Sequence, residues 1–122
     1  MKNLKTFSIL AIFLCCAAYT QAQVTVTFST PTDGQTFNSA PHDLYVLVET
    51  TGRVKKVTLY LDGELLRDEK VKPYEWGAEG QNDPELQGMT NGTYTLRAVA
   101  QERGGGKVEE TITITIGKDD NG

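Results

Sequence analysis

The sequence predicts an all-β sandwich of about seven short strands in two antiparallel sheets, preceded by a cleavable signal peptide. Three observations predict it. Apolar and polar residues alternate with period two in each candidate strand, the spacing that sends neighbouring side chains to opposite faces of a pleated ribbon. Asp-Gly, Asn-Gly and Gly-Gly-Gly punctuate those runs. No helical periodicity in the body of the chain extends beyond about ten residues.

Residues 1–22 read MKNLKTFSILAIFLCCAAYTQA. Lys2 and Lys5 form a positive head, Phe7 to Ala18 an apolar stretch, and Thr20-Gln21-Ala22 a small-residue cleavage site, so Gln23 is the expected mature N-terminus. A membrane span needs about 20 apolar residues, and this stretch is shorter. Both cysteines, Cys15 and Cys16, lie inside the leader. They read either as apolar leader residues or as an acylation site. Ile12-Phe13-Leu14 stand where a lipoprotein site has small residues, which favours ordinary cleavage. The mature chain then has no disulfide, no thiol chemistry and no transmembrane helix.

Lys2 and Lys5 are the leader's only charges. The remaining ten basic and 16 acidic side chains leave −6 on the mature chain. The densest basic run is Lys55-Lys56, which argues against nucleic acid and against an anionic membrane surface. Residues 23–117 suffice for one domain with one core, and 118–122 form a short polar tail.

The elements follow in order. Val24, Val26 and Phe28 alternate with threonines over 24–28. Residues 29–43 are turn chemistry, with Pro31, Asp33-Gly34 and Pro41 breaking regular structure. Over 44–50, Leu44, Val46 and Val48 share one face, Tyr45 and Leu47 the other. In 54–68, Val57, Leu59 and Leu61 alternate inward, Asp62-Gly63 turns the chain, and Glu64 to Asp68 run back. Residues 71–76 form a short extended piece that Pro73 restricts to a bend or an edge. Residues 77–90 are the longest irregular stretch. Tyr94, Leu96, Ala98 and Ala100 then share a face opposite Thr93, Thr95 and Arg97, with Val99 as an apolar exception. Ile112, Ile114 and Ile116 alternate with threonines in the last strand, 108–117.

Four motifs occur in sequence: Pro31-Thr32-Asp33-Gly34, Val57-Thr58-Leu59-Tyr60-Leu61-Asp62-Gly63, Pro73-Tyr74-Glu75-Trp76, and Asn91-Gly92-Thr93-Tyr94-Thr95-Leu96-Arg97-Ala98-Val99-Ala100. Together they resemble the bacterial immunoglobulin-like domains of exported and cell-surface proteins over almost all of 24–117. The resemblance implies an immunoglobulin-like β-sandwich and a secreted or periplasmic, cell-envelope location. Such domains serve as spacers, adhesin repeats, accessory modules of polysaccharide-degrading enzymes or binding domains, and they bring no catalytic motif. Antibody domains have a tyrosine corner two residues before a cysteine. By that comparison Tyr94 holds the corner, Leu96 replaces the cysteine with apolar bulk, and Val46 is its partner on the facing sheet. Gly104-Gly105-Gly106 then form a hairpin tip, since no P-loop lysine-serine pattern follows them.

Catalysis is not expected. The mature chain has one histidine, His42, in a loop, and two serines, Ser29 and Ser39. Asp43 cannot readily orient its own neighbour in a triad, and one histidine cannot build a zinc site. Two surface features remain. Glu75, Glu79, Asn82, Asp83 and Glu85 are weak candidate calcium ligands, set against the simpler reading of a solvated acidic loop pinned by Leu86 and Met89. Apart from calcium, no cofactor is expected. Tyr60 and Trp76 are weak candidates for stacking on sugar rings, Trp76 reading more readily as a core anchor and Tyr60 as the outward-facing ring. The run Thr111 to Ile116 would recruit strands only as a free edge, with Glu109, Glu110 and Lys118 as flanking guards.

The expected function is that of a non-catalytic secreted module acting in protein interaction, scaffolding or cell-surface adhesion, as a monomer. Its partner would be a protein or a cell-surface polysaccharide. The alternative is a carbohydrate-binding accessory module associated with polysaccharide degradation.

Overall fold

The computed structural model describes residues 23–117. The expected signal peptide with Cys15 and Cys16, and the polar tail 118–122, lie outside the described residues. The described residues form eight strands: β1 (Thr25–Thr30), β2 (Thr36–Phe37), β3 (Val46–Thr51), β4 (Val54–Leu61), β5 (Glu64–Glu69), β6 (Tyr74–Trp76), β7 (Gly92–Glu102) and β8 (Lys107–Ile116). A single 3-10 turn, Pro84–Leu86, interrupts the 77–90 loop. A three-stranded sheet of order β1-β3-β6 faces a five-stranded sheet of order β2-β8-β7-β4-β5.

Alternation places the core between the sheets. Val46 of β3, Leu59 of β4, Trp76 of β6, Leu96 of β7 and Ile114 of β8 are all fully buried there. Val46 and Leu96 enter that core from opposite sheets. The corner also forms: Tyr94 Oη donates to the Thr90 carbonyl at 2.8 Å. Asp62 and Gly63 turn the β4–β5 hairpin at φ 50° and 85°, the positive angles a two-residue turn of this hand requires.

Two features differ from the sequence expectation. The eighth strand, β2, lies in the stretch read as turns, and two residues are too few to show a period. It also pairs with β8 in parallel, so one short ladder departs from the antiparallel rule. This segment closes the β8 edge. Thr113 N–H donates to Asp33 Oδ1 at 2.9 Å, Gly34 N–H to the Thr113 carbonyl at 2.7 Å, and Thr115 N–H to the Gln35 carbonyl at 3.0 Å. The Thr111–Ile116 run is therefore not a free edge.

The registers also set the poles of the sandwich. β1 starts beside Thr51, at the end carrying the β3–β4 connection and the β7–β8 turn, where Arg103 N–H meets the Arg53 carbonyl. β8 finishes beside Gly92 and Phe37, at the opposite end.

Candidate functional site

The irregular loop after β6 is organised by one buried carboxylate. The Asp83 side chain is only 3% exposed and lies against Arg67 of β5. Arg67 Nε and Nη2 donate to its two oxygens at 2.7 and 3.0 Å, and Gly77 N–H adds a third bond at 2.8 Å. Arg67 Nη1 reaches Glu69 Oε2 at 2.6 Å, while Nη2 also reaches the Glu75 carbonyl at 3.2 Å. Gln81 Nε2 bridges the same Glu69 oxygen and the same carbonyl. Leu86, buried in the core, anchors the far side of the loop, with Leu44 N–H donating to its carbonyl at 2.8 Å.

The electrostatics follow from this geometry. Burial pushes the Asp83 carboxyl up, but hydrogen bonds from Arg67 and Gly77 outweigh it, so the group titrates below the usual carboxylate range. Hydrogen bonding to Asp83 raises the Arg67 guanidinium against an opposing desolvation effect, which keeps it charged. This is a structural ion pair that bolts a loop to a strand.

The five candidate calcium ligands do not converge. Asp83 is taken by Arg67, and Glu75 accepts from the Tyr45 hydroxyl. Glu79, Asn82 and Glu85 are exposed. Among the described residues no group of three His, Cys, Asp or Glu is placed to hold a metal ion. Sequence proximity suggested a cluster; the guanidinium removes its one inward carboxylate.

The aromatic pair separates as well. Trp76 lies wholly in the core, with its indole N–H donating to the Arg67 carbonyl at 3.2 Å, so it has no ring face for a sugar. Tyr60 sits on the outer face of the five-stranded sheet, half-buried, because the Arg97 guanidinium lies 4.1 Å from its ring centroid. Around it runs a shallow trough of about 210 Å³, floored by Thr58 and Val99 and bordered by Leu65 and Lys107. Lys56 and Asp68 pair along its side at 3.1 Å. Arg97 also pairs with Glu109 at 3.3 Å.

Sequence reasoning missed Leu65 at this trough and Arg97 over the Tyr60 ring. The signal available was Val99, an apolar residue on an otherwise polar face. A register shift between Leu59 and Tyr60 sets Leu65 opposite Tyr60 and leaves it 59% exposed. His42 stacks on Phe37 at 4.2 Å and bridges Met89 through its backbone. Asp43 accepts from Gly88 N–H. Ser29 lies on β1 and Ser39 in the bend after β2.

Two facing sheets, an interior cluster of apolar residues and a tyrosine corner define an immunoglobulin-like β-sandwich module. The chain belongs to the bacterial Ig domain family, whose model matches residues 25–98. It is 35% identical over 60 residues to the long isoform of an ulvan lyase from Pseudoalteromonas sp., a match spanning 49% of this chain and 6% of that enzyme. Among solved structures it is similar to the fibronectin(III)-like modules of Clostridium thermocellum CbhA. That match has a TM-score of 0.63 and 24% identity, covering 76% of this chain and 96% of that one. It is also similar to Bacteroides ovatus SGBP-B, of the mixed-linkage glucan utilization locus, solved with a mixed-linkage heptasaccharide. There the TM-score is 0.53 with 13% identity, over 80% of this chain and 24% of that one. No helix among the described residues is long and apolar enough to cross a membrane.

Proposed function

We propose that this chain is a non-catalytic exported module, cleaved after Ala22, that works through scaffolding and protein interaction at the cell envelope. The opposite-pole geometry carries this reading. β1 starts at one pole of the sandwich and β8 finishes at the other, so a partner docked at one pole would be held away from an attachment at the other along the long axis. The polar networks support it too, because the buried carboxylate and the loop histidine are both engaged in holding loops. A fusion with a reference domain at each end of 23–117 tests this by small-angle scattering. The two partners should stand apart by at least the length of a ten-residue strand, about 34 Å. Reference domains lying side by side would sink the reading.

Carbohydrate binding is the second reading, favoured by Tyr60 and Arg97 on the open outer face and by the polysaccharide-related neighbours. Mixed-linkage glucan and ulvan oligosaccharides are suitable probes in a nuclear magnetic resonance titration. This reading requires saturable shifts at Thr58, Tyr60 and Val99 that Tyr60→Ala abolishes. Silence with both glycans removes it.

A further inference from the structure

Charge is segregated along the long axis of the sandwich. β3 ends at Thr51, β4 begins at Val54 and β7 ends at Glu102, all in the half where β1 starts. The β5–β6 connection lies in the same half, leaving β5 opposite Val57 and entering β6 opposite Val48. These connections and the strand ends they join carry Arg53, Lys55, Lys70, Lys72, Arg103 and Lys107, every exposed lysine and arginine of residues 23–117. None of them is in an ion pair among the described residues; the pairs take Lys56, Arg67 and Arg97 instead. Arg103 N–H donates to the Arg53 carbonyl at 3.1 Å, so a main-chain bond sets two arginines from separate loops side by side. Against these cations stand Glu49, exposed, and Glu102, half-buried. The densest basic run of the sequence is Lys55-Lys56, and strand order gathers the rest.

The other half is the complement. Its connecting stretches, 31–45, 62–64 and 77–91, contain no lysine or arginine. Asp33, Asp43, Asp62, Glu64, Glu79 and Glu85 are exposed there. Main-chain donors fix three of them: Thr113 N–H holds Asp33, Gly88 N–H holds Asp43, and Thr95 N–H holds Asp62.

We infer that the basic pole of one copy of this chain receives the acidic pole of a second, so that copies associate weakly, end to end, in open rows. Charge complementarity selects this occupant. A second copy gives both poles a role, whereas a polyanionic chain or an anionic bilayer would engage the cations and leave the opposite carboxylates outside the contact. Like poles repel, which fixes the head-to-tail order. The poles face opposite ways, so the contact is heterologous and does not close on itself. Five strands about 4.8 Å apart, in sheets about 10 Å apart, make an end face of roughly 25 by 20 Å. A contact between two such faces stays below about 1,200 Å², the size of transient encounters. Dilute protein is therefore monomeric, and association rises with concentration and falls with salt. The inference rests on the scaffold reading above and names its protein partner.

The test is sedimentation and small-angle scattering of the chain from Gln23 onward, in a concentration series up to about 1 mM. Charges reach about 30 Å at about 10 mM salt and about 3 Å at about 1 M. Low salt should raise the average mass with concentration and extend the maximum dimension toward twice that of the monomer; high salt should restore the monomer. Arg53→Glu with Arg103→Glu cancels the basic pole, and Glu79→Lys with Glu85→Lys weakens the acidic one. All four side chains are exposed, and the amide spectrum of each variant verifies folding. Each variant alone should self-associate at least about tenfold more weakly. An equimolar mixture should recover the parent's affinity and stop at an elongated pair, since each variant keeps one working pole. The inference is overturned by a mass independent of concentration at low salt, by a compact side-by-side dimer, or by a mixture that stays monomeric. It is equally overturned if monomeric protein instead carries Arg53 and Arg103 onto phosphatidylglycerol vesicles. The fused-domain experiment measures a distance within one dilute molecule, so its failure and a failure here are distinguishable.

Discussion

Arg67 on β5 and Asp83 in the loop after β6, 16 residues apart, form a two-pronged ion pair in which Nε and Nη2 meet the two carboxylate oxygens at 2.7 and 3.0 Å. The backbone of Arg67 also receives the indole N–H of Trp76, so one residue ties the loop, the edge strand and the largest core side chain together. Planar bidentate geometry is what distinguishes arginine from lysine in such a role.

Removing the carboxylate should therefore loosen the loop. Asp83→Ala leaves Gly77 N–H without its acceptor and Arg67 without its main partner. Breaking a buried pair costs about 3–5 kcal/mol, and the 29% exposure of the Arg67 side chain brings the expectation down to about 2–3 kcal/mol. Urea unfolding should show a lower midpoint at unchanged slope. A loss under about 0.5 kcal/mol would mean the pair contributes no stability.

Acid stability should follow the same carboxylate. Asp83 titrates below its ordinary value despite burial, and Asp68 does so because the Thr58 hydroxyl, then Lys56, bind its charged form. A carboxyl depressed in the folded state stabilises above its unfolded pKa of about 3.9, and that contribution is lost as pH falls through the lower folded value. Thermal midpoints should change little between about pH 7 and pH 5 on account of these groups and drop below about pH 4. Asp83→Asn should flatten the acid limb relative to the parent.

Gly77 should not accept a side chain. Its φ is +78°, and a Cβ there would run into the Leu44 carbonyl oxygen. Strain and overpacking each cost about 1–3 kcal/mol, so Gly77→Ala should destabilise by about 2–4 kcal/mol. Gly63→Ala, at φ +85° but with nothing near the added atom, should cost less in the same unfolding assay.

The tyrosine corner offers a subtler change. Tyr94→Phe removes the bond to the Thr90 carbonyl and the longer contact with the Thr90 hydroxyl at 3.4 Å, and should cost about 1 kcal/mol. Faster hydrogen exchange should be confined to the turn before β7.

Calcium should leave the protein unmoved, because the loop carboxylates point apart. The melting temperature is expected to be equal in millimolar calcium and in chelator, and Trp76 emission should stay that of a buried indole. A calcium-dependent rise would require a site elsewhere.

Strand positions such as Val57, Leu59 and Leu61, the Asp62-Gly63 turn and the Tyr94 corner were legible in the sequence, and Pro73 correctly marked the edge character of β6. The candidate site was less legible. Glu75 and Asp83 lie close in sequence yet bind Tyr45 and Arg67 at separate places, and Tyr60 gained its cover from Arg97 on a neighbouring strand. β2 escaped notice because two residues take their strand character from pairing with β8.

By itself the sequence determined which side chains face inward and where the chain turns, because alternation and positive φ are properties of a few consecutive residues. Only the tertiary structure decided that Asp83 belongs to Arg67, that residues 33–37 close the last strand, and that cations from separate connections gather at one pole. Those outcomes depend on strand order and register between distant segments, which no local spacing encodes.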